Sequence, residues 1–360
     1  MDWKRQLWAE WEIVEEIGSG SYGTVYKIRR YDIGGTYFAA LKVITIPRNE
    51  DEVRSLCNAG MDHTQIVGYY HAFAVQLARE FAAMERLKGI SNIVSYEDHK
   101  IVPRQEGYGY HVLIRMELLM PLGHVMSPTG CGEEMAVRIG KDISSALMYC
   151  EREGIMHRDV KPGNIFVTDH GDFKLGDFSV ATVSGGNRQE RTPMGTYAYM
   201  APEVYFGQHY DHSADIYSLG LILYRFLNDG RAPFMPLVVR PLSSDEIEQA
   251  NKLRLSGTVL PKPIRASERM AQIIRKACAY HPYERYRSAK ELFEDLNVHA
   301  SMETIQPGSY SSAALGPKES ALFASAREDV LRCHDDTNFS DTSSEETKKM
   351  NRFFFSAGDL

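Results

Sequence analysis

Apolar and polar positions alternate through residues 11–46, in WEIVEEIGSG, TVYKIRR and YFAALKVITI. That period of two, rich in β-branched and aromatic residues, predicts strands. Gly18, Gly20, Gly23 and the pair Gly34–Gly35 punctuate them as turns. The alternation lapses over 47–89. There Phe73, Leu77, Phe81, Met84 and Leu87 recur at spacings of three and four, which predicts a helix over 70–87 with one apolar face. The stretch NEDEVRSLCNAGMDHTQIVGYY reads as a short helix, a break at Gly60 and then the long helix. Residues 91–119 return to strand-like runs that end in HVLIRMELL. From about 133 to 298 helical patterning dominates. EEMAVRIGKDISSALMYCEREG and DIYSLGLILYRFLNDG each run to a glycine where a helix C-cap is expected. Short strand signals at 165–168 and 173–176 interrupt it. A sheet-rich first third and a helix-rich remainder predict two lobes.

The texture changes again near residue 300. Residues 301–360 hold 14 Ser/Thr, with 10 Asp/Glu against 6 Lys/Arg. Little in DDTNFSDTSSEE can be buried, so the expectation for 299–360 is a disordered acidic tail. Only SALFASAREDVLR and the terminal NRFFFSAGDL look able to dock.

Composition narrows the classes. Of 360 residues, 43 % are apolar and 25 % charged, ordinary values for a globular chain of about two domains. The net charge of −7 argues against binding nucleic acid by overall charge. The tail carries −4 of it, so the first 300 residues are nearly balanced. The best apolar run, 219–227, is broken by Arg225 and falls short of the roughly 18–20 residues a bilayer span needs. The N-terminus has no apolar core for a secretory signal. Cys57, Cys131, Cys150, Cys278 and Cys333 are scattered, which fits reduced thiols in the cytoplasm and no zinc or disulfide framework.

Gly18-Ser19-Gly20-Ser21-Tyr22-Gly23 is a G-x-G-x-x-G. A dinucleotide fold places such glycines between a strand and a helix. Here Gly23 leads into Thr24-Val25-Tyr26-Lys27-Ile28, a second strand, so the glycines sit in a hairpin. Such a hairpin can bring backbone N–H groups over phosphates. Lys42 follows in Ala40-Leu41-Lys42, on an apolar strand, where an unpaired ammonium is costly. Glu80, on the amphipathic helix, is the nominated partner that would turn it towards phosphates.

Further on stand His157-Arg158-Asp159-Val160-Lys161-Pro162-Gly163-Asn164, then Asp177-Phe178-Ser179, then Gly195-Thr196-Tyr197-Ala198-Tyr199-Met200-Ala201-Pro202-Glu203. With the glycine hairpin and Ala40-x-Lys42, residues 11–298 resemble the eukaryotic-type (Hanks-type) serine/threonine protein kinases. Details such as Ala-Cys-Ala-Tyr-His-Pro-Tyr-Glu-Arg-Tyr have a bacterial wording. The resemblance implies an α+β, bilobal kinase fold. Residues 1–119 would form a small antiparallel sheet lobe with one helix and a long 47–79 helical insert. Residues 120–298 would form a larger, mainly helical lobe, the two closing on ATP.

The resemblance also assigns roles. Asp159 would accept the substrate hydroxyl proton, and Lys161 would neutralise charge on the transferred group. Asn164 and Asp177 would ligate Mg²⁺. Lys42, held by Glu80, would bind the α- and β-phosphates of ATP beneath Gly18, Ser19, Gly20, Ser21 and Gly23. Val25, Ala40 and Phe166 would enclose the adenine, with Met116 as gatekeeper and Glu117 to Leu119 as hinge. Lys161 and Thr196 favour protein Ser/Thr acceptors. Arg158 would receive a phosphate on Thr192, put there by self-association and trans-autophosphorylation. Asp215 would anchor the catalytic loop, and Arg285 would pair with Glu203. Two departures stand out: Ser179 replaces the usual glycine, and the stretch from Lys42 to Glu80 is long. The competing class is a pseudokinase scaffold, although Lys42, Asp159, Asn164 and Asp177 are all in place.

Overall fold

Residues 11–46 fold as three strands, β1 (Glu12–Gly20), β2 (Gly23–Asp32) and β3 (Gly35–Ile46). With β4 (Tyr96–Pro103) and β5 (Tyr110–Met116) they make one antiparallel sheet in the order β1-β2-β3-β5-β4. The computed structural model describes residues 2–20, 23–125, 132–178, 197–238 and 240–304. Almost all of the acidic tail lies outside them, as do Ser21, Cys131, Ser179, Thr192, Thr196 and Cys333.

The period of two gives the sheet two apolar faces. Ala39, Leu41 and Val43 join Ile28 and Leu113 on one of them. Trp3 and Trp11 cover that face from an N-terminal segment that starts as a 3-10 turn at Asp2–Gln6. Trp8 fastens the segment by donating its Nε1 hydrogen to Asp98 Oδ2 at 2.7 Å. Tryptophans spaced by five and three along a short irregular stretch form no repeating face, so no pattern announced this cover.

The opposite face takes α1 (Glu50–Asn58) and α2 (His63–Glu85). Ile66, Tyr70, Leu77 and Phe81 of α2 pack on Ile46, Tyr96, Val112 and Ile114, with Val53 and Leu56 of α1 at the margin. The long helix begins at His63, just past the expected break at Gly60. Asp62 and Gln65 cap it: the Asp62 N–H donates to Gln65 Oε1 at 2.9 Å and the Gln65 N–H to Asp62 Oδ1 at 2.8 Å. That reciprocal pair satisfies two otherwise orphaned donors. The extra length between Lys42 and Glu80 is thus α1 plus two added turns of α2.

The second compact unit takes Met120–Gly176 and the described chain from 197 on, while Met1–Leu119 with Asp177 and Phe178 make the first. It holds a three-stranded sheet in the order β6 (Met120–Pro121), β7 (Ile165–Val167), β8 (Phe173–Leu175). Its helices are α3 (Leu122–Val125), α4 (Glu133–Arg152), α5 (Pro202–Tyr205), α6 (Ser213–Phe226), α7 (Ser244–Leu255), α8 (Glu268–Ala277) and α9 (Ala289–Thr304). In α6 every residue but Arg225 is buried, as expected of a helix that is apolar nearly all round. It packs against α4 and α8, and α9 closes over the same pair. Gly154, with φ +69°, follows the α4 cap as expected. Gly230 does not cap α6, which ends at Phe226; Asp229 takes a positive φ of 52° and the Gly230 N–H returns to Arg225 O at 2.8 Å. Among the described residues no helix is long and apolar enough to cross a membrane.

Candidate active site

In the first unit the glycines do form a hairpin. Gly18 lies opposite Val25, and Gly20 opposite Gly23. Gly23 has φ +123°, and a Cβ there would come within 2.3 Å of Val43 O, so this position requires glycine. On β3, Lys42 stands opposite Val25 on one side and Ile114 on the other. Ala40 stands opposite Met116. Residues two apart on a strand share a face, so Val25, Ala40, Lys42 and Met116 share one face of the sheet. It is the face of Ile44 and Ile46, which α2 covers.

Lys42 is 5 % exposed, and its ammonium pairs with Asp177 Oδ1. Asp177 itself holds a positive φ of 63°, unusual for a residue with a side chain. Glu80 falls on α2, but its side chain is outside the described residues. At Glu117, expected as part of a hinge, the N–H donates to Ser95 O at 3.0 Å while the carboxylate accepts from the Ser95 N–H.

In the second unit the chain from His157 to Asn164 is tied to the core from beneath. Asp215, near the start of α6, accepts the N–H groups of His157 at 2.8 Å and Arg158 at 2.7 Å. Burial pushes the Asp215 carboxyl up, and His157 with these two N–H groups pulls it back. No sequence argument assigned His157 a role of its own. Its ring is fully buried and bonds through Nε2 to Gly176 O at 2.8 Å, joining the loop to the strand end that precedes Asp177. Arg158 takes a positive φ of 67°, and its guanidinium lies 5.9 Å from the Tyr210 ring.

Asp159 is 7 % exposed. Its Oδ2 accepts from Asn164 Nδ2 and from Lys161 Nζ, each at 2.9 Å. Asn164 Nδ2 also donates to the Asp159 carbonyl at 2.8 Å, which fixes the side chain against its own backbone. Asp159 Oδ1 is buried and, among the described residues, has no hydrogen-bond partner. Among the described residues, one carboxylate thus has one oxygen held by two donors and one oxygen without any. Phe166 lies on β7, opposite Pro121 and Lys174. A pocket of about 440 Å³, counting its open mouth, adjoins Asp159 and Lys161 and is walled by Tyr199, Met200, Val204 and Tyr210.

Farther from the reactive groups, Arg285 spends all five N–H donors. Two go to Glu203, at 2.7 Å each, and the others to the carbonyls of Ala279, Tyr280 and Ser213.

Magnesium suits the donors available. Among the described residues no group of three or more His, Cys, Asp or Glu is placed to hold a metal by itself. Asn164 and Asp177 are hard oxygen donors, and Mg²⁺ commonly takes one or two such groups, with waters and phosphate oxygens completing its shell. The Asn164 amide nitrogen is committed to Asp159, so its oxygen is the end available to a cation.

Comparison with known proteins bears on the family of the chain. A model of the protein kinase domain matches residues 11–296. Aurora kinase A-A of Xenopus laevis is 26 % identical over 291 residues, 78 % of this chain and 61 % of that protein. A probable serine/threonine-protein kinase of Clostridium perfringens is 28 % identical over 292 residues, 79 % of this chain and 38 % of that protein. The interferon-induced, double-stranded RNA-activated protein kinase of Mus musculus is 31 % identical over 224 residues, 61 % of this chain and 40 % of that protein. The chain therefore spans less than two thirds of each of these relatives. The family match runs from the first strand into α9 and takes in residues of both compact units, and on that match the chain belongs to the protein kinase family.

Proposed function

We propose that the protein transfers the γ-phosphate of ATP to serine and threonine hydroxyls of other proteins. The observation that carries this reading is the Asp159 carboxylate, whose Oδ1 is buried without a partner among the described residues while Oδ2 is held by Asn164 and Lys161. An oxygen in that state can accept the proton of a substrate hydroxyl and aim the hydroxyl oxygen at phosphorus. Lys161, beside the same carboxylate, neutralises negative charge on the phosphoryl group in transit. Lys42 binds the α- and β-phosphates, and the glycine hairpin lays its backbone over them.

Val25, Ala40 and Met116 share the sheet face that would meet the adenine, and Phe166 and Glu117 to Leu119 are the other residues proposed to contact it. Asn164 and Asp177 would hold Mg²⁺, which when bound screens phosphate charge. Asp177 and Lys42, already an ion pair, then address the same triphosphate. The preference for Ser/Thr rests on Lys161 two residues beyond Asp159 and on Thr196. Arg158 would receive a phosphate on Thr192, which lies outside the described residues.

The test is incorporation of label from γ-³²P-ATP into myelin basic protein and into the chain itself, with and without Mg²⁺, by wild type and Asp159→Asn. Incorporation by the wild type alone, on Ser or Thr, supports the reading. Equal signal in both proteins, or nucleotide binding with no transfer, refutes it. Thr192→Ala with undiminished activity refutes the regulatory part alone.

A further inference from the structure

Residues 197–200 lie just before Ala201-Pro202-Glu203, and three of their four carbonyls are held from below. Arg254 Nη2 donates to Tyr197 O at 3.0 Å, and Arg254 Nη1 to Met200 O at 2.7 Å. Ser218 Oγ donates to Tyr199 O at 2.8 Å. Arg254 sits in the last turn of α7 and is 4 % exposed. Burying a guanidinium costs several kcal/mol unless it is compensated. Among the described residues no carboxylate pairs with it. Its side-chain partners are the Tyr217 hydroxyl at 3.2 Å and the face of the same ring at 6.0 Å. The charge is therefore directed at backbone, and at one stretch of backbone.

That stretch has a position relative to the chemistry. Tyr199 and Met200 form one wall of the pocket whose other lining includes Asp159 and Lys161. A protein acceptor must lay several residues of main chain beside Asp159 to present a hydroxyl there. A small molecule, or water, need not. The nucleotide-binding groups Lys42 and Asp177 belong to the other compact unit.

We propose that Arg254 is a positioning residue for the protein substrate. By fixing the carbonyls of Tyr197 and Met200, it sets the shape of the wall on which the acceptor chain lies, and it does so without touching ATP. The inference rests on the kinase reading above and adds to it a residue specific to the acceptor side. Ser218 does the same for the carbonyl between.

The test is steady-state kinetics of Arg254→Met on full-length protein, varying myelin basic protein at saturating ATP and then the reverse. The expected result is a rise of about tenfold or more in KM for the protein acceptor, with KM for ATP and the slow acceptor-free hydrolysis of ATP unchanged. Arg254→Lys, whose ammonium can reach one of the two carbonyls, should fall between wild type and Arg254→Met. Ser218→Ala should shift the same constant in the same direction by less. If Arg254→Met fails to fold, the other two variants carry the test. An unchanged KM for the acceptor, or equal losses on both substrates, overturns the proposal and leaves the kinase reading intact. A wild type that transfers no phosphate overturns both.

Discussion

Arg285 and Glu203 meet in a two-pronged ion pair, both contacts at 2.7 Å, with the arginine side chain wholly removed from solvent and the carboxylate 4 % exposed. They lie 82 residues apart, so the pair fixes the end of the segment that begins at Tyr197 to the loop before α9. Removing one partner strands the other charge in a site that water does not reach. Glu203→Ala is expected to cost about 3–5 kcal/mol of stability, read by urea denaturation. Arg285→Lys should also be destabilising, because an ammonium cannot replace five donors in a fixed fork.

Asp159→Asn removes the acceptor oxygen and keeps the shape. The variant should bind ATP as the wild type does and lose turnover by roughly 10²–10⁴, the usual weight of a positioned base. Nucleotide titration and a phosphotransfer assay on the same preparation measure the two separately.

Lys42→Met removes the ammonium that faces Asp177 and leaves an apolar strand apolar. Phosphotransfer should be lost while the circular dichroism spectrum is unchanged. Lys42→Arg should not restore it, since a planar guanidinium cannot reproduce a compact point charge at both a carboxylate and phosphates.

Among the described cysteines, Cys57 is exposed while Cys150 and Cys278 are buried. Burial raises both buried thiols, Cys278 to about 12. Since the thiolate is the reactive form, iodoacetamide at pH 8 should label Cys57 and spare the other two until the protein unfolds. Peptide mapping after native and denatured labelling checks this.

Glu246 caps α7: it accepts the Ser243 N–H at 2.8 Å and two hydrogen bonds from Arg240. Those bonds, Arg240 first, hold its carboxyl down to about 2 against an ordinary 4.5. A carboxylate depressed in the folded state stabilises above its unfolded value and ceases to do so as the pH falls towards its folded one. Relative to the intrinsic exchange rate at each pH, amide protection in the first turn of α7 should therefore fall between about pH 4.5 and 2. Glu246→Gln should already show the faster exchange at pH 7 and lose this dependence.

The site was legible wherever its residues lie close in sequence. Asp159, Lys161 and Asn164 fall within six positions of one motif, read through its resemblance to the kinases, and Lys161 and Asn164 both meet the Asp159 carboxylate. Lys42 was legible for a different reason, as a charge in an apolar strand. It pairs with Asp177, 135 residues away, a contact that no local pattern announced, and the side chain of Glu80, the nominated partner, lies outside the described residues. Arg254 gave no signal. It lies on a helix in which only Ala250, Arg254 and Leu255 are buried, and an arginine there reads as surface. Its partners stand 37 to 57 residues distant, so nothing local marks it as a core residue. The N-terminal tryptophans went unread because an irregular chain offers no period to detect. The break at Gly60 marked where α2 begins, but the Asp62–Gln65 pair that caps it went unread.

Asp215 grips the backbone of His157 and Arg158 from a helix that is buried on nearly every side. The loop that presents Asp159 therefore has no melting point of its own. It cannot come loose while α6 is folded, and α6 cannot unfold without dissolving the second unit's core. On heating, the loop's geometry and the core's packing should fail together, at one temperature.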